Sequence, residues 1–284
     1  MTPDPDRPTL RFRTLHASPL VSIVDVSCRP EGDACGAEEQ ASGNEIVFPR
    51  AGSFLMHVGA KRVLADANHV VFFNRSEPYR VSHPRGAGDA CTALRFAQET
   101  LDEAWWPSGG LPAARFPRTH APMPASASLA LHALRRRACA TRADPLAVEE
   151  AALNLLSGMV KGSSCRPRVQ TGARAAARRL LLVERIRLRI ADALDARLSL
   201  EGIAGEVGAS PFHLARIFRE ETGLPIHRYR SRLRLREALD RLAQGEDDLT
   251  RLALDLGYAS HSHFTDAFRA AFGLSPSAFR NGSH

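Results

Sequence analysis

Phe212, Ala215, Arg216 and Arg219 stand at i, i+3, i+4 and i+7 within "SPFHLARIFREETG", residues 210–223. That spacing gathers a phenyl ring and two guanidinium groups on one face of a helix. Leu214, Ile217 and Phe218 fall on the opposite face, where a core would take them. Arginine bridges phosphate oxygens and guanine edges with its forked donors, and an aromatic ring can touch a thymine methyl. The chemistry on offer is recognition of a polyanion rather than bond-making. Ser210 is a good N-cap, Pro211 suits the first turn, and Gly223 stops the run, so the helix has defined ends.

The stretch recurs. "IAGEVGASPFHLARIFREETG" aligns with "LALDLGYASHSHFTDAFRAAFG": Ala204 with Ala253, Gly208 with Gly257, Leu214 with Phe264, Phe218 with Phe268 and Gly223 with Gly273. The second copy carries one extra residue in its turn. Each copy predicts helix, tight glycine turn, helix, the pattern of a helix-turn-helix. Between them runs "PIHRYRSRLRLREALDRLA", which carries two apolar stripes on nearly opposite sides: Ile226, Tyr229 and Leu233 on one, Leu235, Leu239 and Leu242 on the other. Two displaced stripes suit a rod that packs one motif at its start and the other at its end. Arg228, Arg230, Arg232, Arg234 and Arg236 lie beside the stripes, available to phosphate or to solvent.

The elements upstream differ in texture. Residues 20 to about 100 hold short apolar or alternating runs, "EIVFPRAGSFLMHV", "KRVLAD", "NHVVFFN" and "CTALRFA", separated by Gly, Pro, Asn and Asp turn signals. They predict a small all-β barrel or sandwich. "PASASLALHALRRRACA" and "PLAVEEAALNLLSGMVK" follow as a helical hairpin rich in alanine and leucine. "GSSCRPRVQTGARAAA" is basic and weakly patterned and predicts a linker. The expected division is 1–123, 124–161 (hairpin), 162–177 (linker) and 178–284. The fold class is α+β, a β-barrel with a helical hairpin followed by an all-α domain.

Residues about 180 to 281 resemble the AraC/XylS-type DNA-binding domain. The resemblance rests on the second motif and tail, "LALDLGYASHSHFTDAFRAAFGLSPSAFR", at Gly257, Phe264, Phe268, Phe272, Gly273, Pro276 and Arg280. In the first motif it rests on Ala204, Ser210, Leu214, Phe218, Gly223 and Pro225. The resemblance implies a transcription activator or repressor whose base-facing residues are Phe212, Ala215 and Arg216 in one helix and Ser262, His263 and Asp266 in the other. Ser210, His213, Arg219, His261 and Arg269 complete the expected DNA face. Asp266 departs from the family, where this slot is commonly basic or polar. The resemblance also implies a cupin-like N-terminal barrel that binds a small-molecule effector; the polar groups scattered among the apolar strands, His57, Asn74 and Arg80, are the candidate contacts. It implies a homodimer held by the hairpin, with double-stranded promoter DNA and RNA polymerase as partners.

Totals agree with this expectation. Of 284 residues 38 are Lys or Arg, and only Lys61 and Lys161 are lysine, so the net charge of +7 is carried by arginine. Five cysteines without a regular framework argue against a secreted disulfide scaffold. The N-terminus, "MTPDPDRPTL", has no apolar signal region and no run approaches membrane-spanning length, so a cytoplasmic protein without membrane contact is expected. No catalytic triad spacing or phosphate-cradling glycine loop occurs. The one His-x-His pair, His261 and His263, lies in the second motif, while His57, His69 and His83 stand apart. Neither an enzyme nor a resident cofactor is expected. The alternative is a thiol or metal sensor built from Cys28, Cys35, His83 and Cys91, whose soft ligands favour zinc or copper(I).

Overall fold

The computed structural model describes residues 9–30, 35–84, 88–105, 115–162, 173–196 and 198–282. The chain divides into two compact units, 1–165 and 166–284.

The first unit contains strands β1 (Thr9–Ala17), β2 (Val21–Arg29), β3 (Glu39–Gln40), β4 (Glu45–Val58), β5 (Lys61–Asp66), β6 (His69–Phe73), β7 (Pro78–Ser82), β8 (Asp89–Phe96) and β9 (His120–Pro122). Helices α1 (Gln98–Trp105), α2 (Ala125–Ala138) and α3 (Pro145–Gly162) complete it. The main path is β1-β2-β8-β4-β6-β9, antiparallel throughout. This path is open: among the described residues the strands do not close on themselves, which corrects the expected barrel. The β1 strand, the α1 helix and the short β9 were not among the expected elements.

The 14-residue β4 serves two sheets. Glu45–Gly52 pairs with β8, and from Ser53 onward β4 pairs with β5, and over Leu55–His57 with β7. Gly52, at φ 70°, is the pivot, where a Cβ would run into the Gly88 carbonyl. Alternation along the strands then builds two cores. Val21, Ile23, Ile46, Phe48, Val70, Phe72, Leu94 and Phe96 meet the helices. On the other face Val47, Val71, Phe73 and Cys91 meet Phe54, Met56, Val63 and Ala65.

The hairpin spends its leucines on the sheet. Leu131, Leu134, Leu155 and Leu156 are buried in the helix-side core, each contributing about 2 kcal/mol. Leu129 is half-buried, and Leu146 and Leu153 remain exposed. Asp25 of β2 ties the layers together. It accepts from Thr92 Oγ1 of β8 at 2.7 Å and from Arg135 Nε and Nη2 of α2 at 3.1 and 2.7 Å, and Arg50 of β4 lies 3.8 Å away.

The second unit is helical: α4 (Ala173–Ala191), α5 (Leu200–Val207), α6 (Pro211–Thr222), α7 (Ile226–Ala243), α8 (Leu249–Asp255), α9 (His261–Phe272) and α10 (Pro276–Arg280). The α4 helix begins inside the expected 162–177 linker; the rest of that linker, 163–172 with Cys165, lies outside the described residues. The repeat is visible in the backbone. Gly208 after α5 and Gly257 after α8 both take left-handed φ, 69° and 72°. Both stripes of α7 are buried, Tyr229 and Leu233 near its start, Leu235, Leu239 and Leu242 toward its end. Among the described residues no helix is long and apolar enough to cross a membrane.

Two outcomes follow. A Cβ at Gly208 meets open space, whereas one at Gly257 runs into Arg234 and stands 2.6 Å from the Asp195 carbonyl oxygen. Gly208→Ala should cost about 1–2 kcal/mol from φ alone, and Gly257→Ala distinctly more, measured by urea denaturation. At Asp25, burial pushes the carboxyl up, but the Arg135 hydrogen bond and the charges of Arg50 and Arg135 outweigh it and hold it below 3.8. A depressed carboxylate stabilises the fold above its unfolded value, and the effect is lost as pH falls through the folded value. Asp25→Asn should therefore cost on the order of 3 kcal/mol at neutral pH. It should also flatten the loss of stability below about pH 4, read from urea midpoints across that range.

Candidate nucleic-acid interface

Each repeat presents one helix whose ends are closed locally. The Ser210 hydroxyl accepts from His213 N at the start of α6, and the Ser260 hydroxyl accepts from His263 N at the start of α9. Gly223 and Gly273 end the two helices at φ 74° and 79°. Leu214, Ile217 and Phe218 bury one side of α6, with Phe218 edge-on to Tyr229 at 5.3 Å. In α9, Phe268 sits among Phe264, Phe272 and Phe279 at centroid distances of 5.8, 4.8 and 6.2 Å.

The outward faces carry the expected residues. Phe212 is 79% exposed, and His213, Arg216 and Arg219 are exposed beside it, with Ala215 partly covered. His261, Ser262, His263, Asp266 and Arg269 are exposed on α9. His263 is steadied by an edge contact with Tyr258 at 5.4 Å. The two faces are not equally free. Arg216 Nη1 donates to Glu220 Oε1 at 3.0 Å, and Arg179 of α4 holds Glu220 and Glu221 at 2.6 and 2.9 Å. Glu220 thus neutralises part of the cationic face of α6, a contact readable as an i, i+4 pair in the sequence.

The arginines of α7 divide by role. Arg230 donates to the carbonyls of Ala193, Leu194 and Ala196, and Arg234 donates to Leu194 O at 2.6 Å while lying over the Tyr258 ring. They satisfy carbonyls left open past the end of α4. Arg236 is buried. Arg228 and Arg232 alone of the five stay exposed.

Residues 203–282 match the family model described as a helix-turn-helix domain. The chain is 39% identical over 85 residues to the transcriptional activator RhaS of Escherichia fergusonii, covering 30% of this chain and 31% of RhaS. It is 34% identical over 99 residues to the transcriptional activator AarP of Providencia stuartii, covering 35% of this chain and 73% of AarP. The chain belongs to the AraC family. A solved AraC-type regulator from Chromobacterium violaceum is 27% identical, covering 37% of this chain and 94% of that one, with a TM-score of 0.35. The chain thus spans about a third of RhaS, and the AraC-family relatives named here are regulators, not enzymes.

The other candidate residues of this AraC-family chain sort into two places. His57 and Arg80 are register partners across β4 and β7 and line an open hollow of about 830 Å³ with Cys35, Lys61, Tyr79 and Arg115. Burial and the charges of Arg62 and Arg80 hold the His57 imidazole below its usual range. Asn74 is not with them. It is buried, and its carboxamide accepts from Phe116 N at 2.7 Å and donates to Glu77 at 2.9 Å, a loop-fastening role.

Of the four thiol-sensor residues, Cys28, His83 and Cys91 come together and Cys35 does not, which corrects the set. Asp89, which sequence reasoning missed, joins them: His83 Nε2 lies 2.5 Å from Asp89 Oδ1, and the Cys91 thiol donates to Asp89 Oδ2 at 3.0 Å. Burial and the Asp89 charge push the Cys28 thiol up to about 11, and the same causes raise Cys91. Cys35 and Cys139 are exposed. Alkylation of the native protein, followed by peptide mass analysis, should modify Cys35 and Cys139 first and leave Cys28 and Cys91 unmodified until the sheet unfolds.

Proposed function

We propose that this protein is a transcription regulator that reads double-stranded promoter DNA with α6 and α9. The observation that carries it is the pairing of two capped helices, one per repeat, each clamped by an apolar stripe and each leaving a polar face uncovered. A helix in the major groove uses such a face on base edges. The 18 residues of α7 span roughly 27 Å, close to the ~34 Å between successive major-groove faces. Family membership supports the same reading, with activation as its expected sense and RNA polymerase as the further partner. In this reading the protein works in the cytoplasm, as expected of a relative of bacterial activators.

The sheet unit is the sensing part in this proposal. We read its strands, bent at β4, as a cupin-like arrangement, and assign the hollow beside His57 and Arg80 to a small-molecule effector. The hollow carries both signs, Lys61, Arg80 and Arg115 against Glu38 and Glu77, with Arg80 paired to Glu38 at 3.6 Å, which suits a polar ligand. Dimerisation through the hairpin is supported by Leu146 and Leu153, which stand seven residues apart on one side of α3 and stay exposed.

Binding of the full chain to its own upstream DNA, by fluorescence anisotropy at fixed salt, tests the reading. Affinity should exceed that for random DNA and fall as salt rises. Arg216→Ala should weaken operator binding by about 1–3 kcal/mol and relax one base position. Asp266, exposed on α9 and with no ion pair among the described residues, separates two cases. If it accepts from a cytosine amino group, Asp266→Ala loses selectivity at one position; if it only repels phosphate, the same change tightens binding to every sequence. Equal affinity for upstream and random DNA would sink the proposal.

A further inference from the structure

Cys28, His83 and Asp89 meet on the face of the main sheet that looks away from α2 and α3, with Cys91 against Asp89 beside them. Cys28 and Asp89 are cross-strand partners of β2 and β8, and Cys91 follows two residues later, so the three side chains share one face. His83, just past β7, reaches the same spot. Its Nδ1 is 3.9 Å from Cys28 Sγ, and its Nε2 is 2.5 Å from Asp89 Oδ1. Donor atoms of Cys28, His83 and Asp89 all lie within 4.8 Å of one another, and Cys91 Sγ is 3.0 Å from the second Asp89 oxygen. Cys28 is 4% exposed, His83 5% and Cys91 3%, and the Asp89 side chain 6%.

We propose that Cys28, His83, Asp89 and Cys91 form a zinc site in the sheet unit. Two sulfurs, a nitrogen and a carboxylate oxygen make a donor set that zinc accepts in tetrahedral geometry. The carboxylate disfavours copper(I), and the sulfurs disfavour magnesium and calcium. With bonds of about 2.0–2.3 Å, tetrahedral donors stand roughly 3.3–3.8 Å apart. One His83 nitrogen takes the metal: the 3.9 Å between Cys28 Sγ and Nδ1 has to close by a few tenths of an ångström, and the 2.5 Å and 3.0 Å contacts of Asp89 with His83 and Cys91 have to open. On binding, each thiol gives its proton to solvent and becomes a thiolate ligand. Two thiolates and a carboxylate around Zn²⁺ leave one net negative charge, and the Arg50 guanidinium, whose charge acts on Cys91, offsets it. The ion would join β2, β8 and the end of β7 at one point. The site belongs to the sheet unit alone and stands or falls independently of DNA binding.

The test uses the full chain, purified without chelator and reduced. Elemental analysis after gel filtration should find one zinc per chain. Replacement by cobalt(II) should give thiolate-to-cobalt charge-transfer absorption in the near ultraviolet together with intense visible bands of a tetrahedral ion. Cys28→Ser and Cys91→Ser should each lose about half or more of that charge-transfer absorption, because one of the two thiolates goes, while Cys139→Ser, at an exposed position, keeps it. A wild-type chain that takes up neither zinc nor cobalt overturns the proposal, as does a cobalt spectrum without a thiolate band. These two readings need no variant, so they hold even where a serine replacement fails to fold. A spectrum unchanged in a folded Cys28→Ser chain also overturns it. So does a Cys28–Cys91 disulfide in the isolated protein with no metal uptake after reduction.

Discussion

A helix that gives one face away can be held only by the other. This constraint shapes the whole second unit. Phe212, Arg219, Asp266 and Arg269 are exposed, so α6 rests on Leu214, Ile217 and Phe218, and α9 on Phe264, Phe268 and Phe272. The aromatic contacts with Tyr229 and Phe279 add orientation to burial, because rings prefer edge-on or tilted arrangements. The caps matter for the same reason. With no neighbour over the exposed face to absorb open backbone donors, Ser210 and Ser260 must satisfy them locally.

The rod between the motifs meets a related demand. It packs on both sides, so few of its positions are left for solvent, and several of its arginines serve the fold. Arg230 and Arg234 close the carbonyl end of α4, and Arg187 of α4 returns a hydrogen bond to Tyr229 Oη at 2.7 Å. The α4 helix is thereby fastened to α7 through polar contacts at both of these places. Through Arg179 it also reaches Glu220, the residue that engages Arg216. The cationic surface of α6 is thus set partly by a helix that lies outside the repeat.

In the sheet unit the corresponding constraint is the turn in β4. The strand turns where its register against β8 shifts between Pro49 and Ala51 and where Gly52 takes a left-handed φ. Asp25 then fixes the helical layer to the main sheet with paired charges rather than apolar area alone, a contact whose strength depends on burial and on both arginines being present.

Much of this was written in local sequence. The repeat, the capped helices, the opposed stripes of α7 and the strands at 45–58 and 61–66 follow from periodicity and turn chemistry, which act within a few residues. The outward residues of α6 and α9 were legible because a helix fixes its faces by spacing alone. What spacing cannot state is which distant side chains meet. Only strand register sets Asp89 opposite Cys28 and carries His83 to both, while leaving Cys35 elsewhere. Only packing separates Asn74 from His57, takes Arg230 and Arg234 for the end of α4, and buries Leu131, Leu134, Leu155 and Leu156 on the sheet while leaving Leu146 and Leu153 outside. Whether the strands close into a barrel is likewise a long-range matter, decided by pairing partners and by one glycine pivot. Local physics chooses the elements and their faces; long-range pairing and burial decide what each face finds.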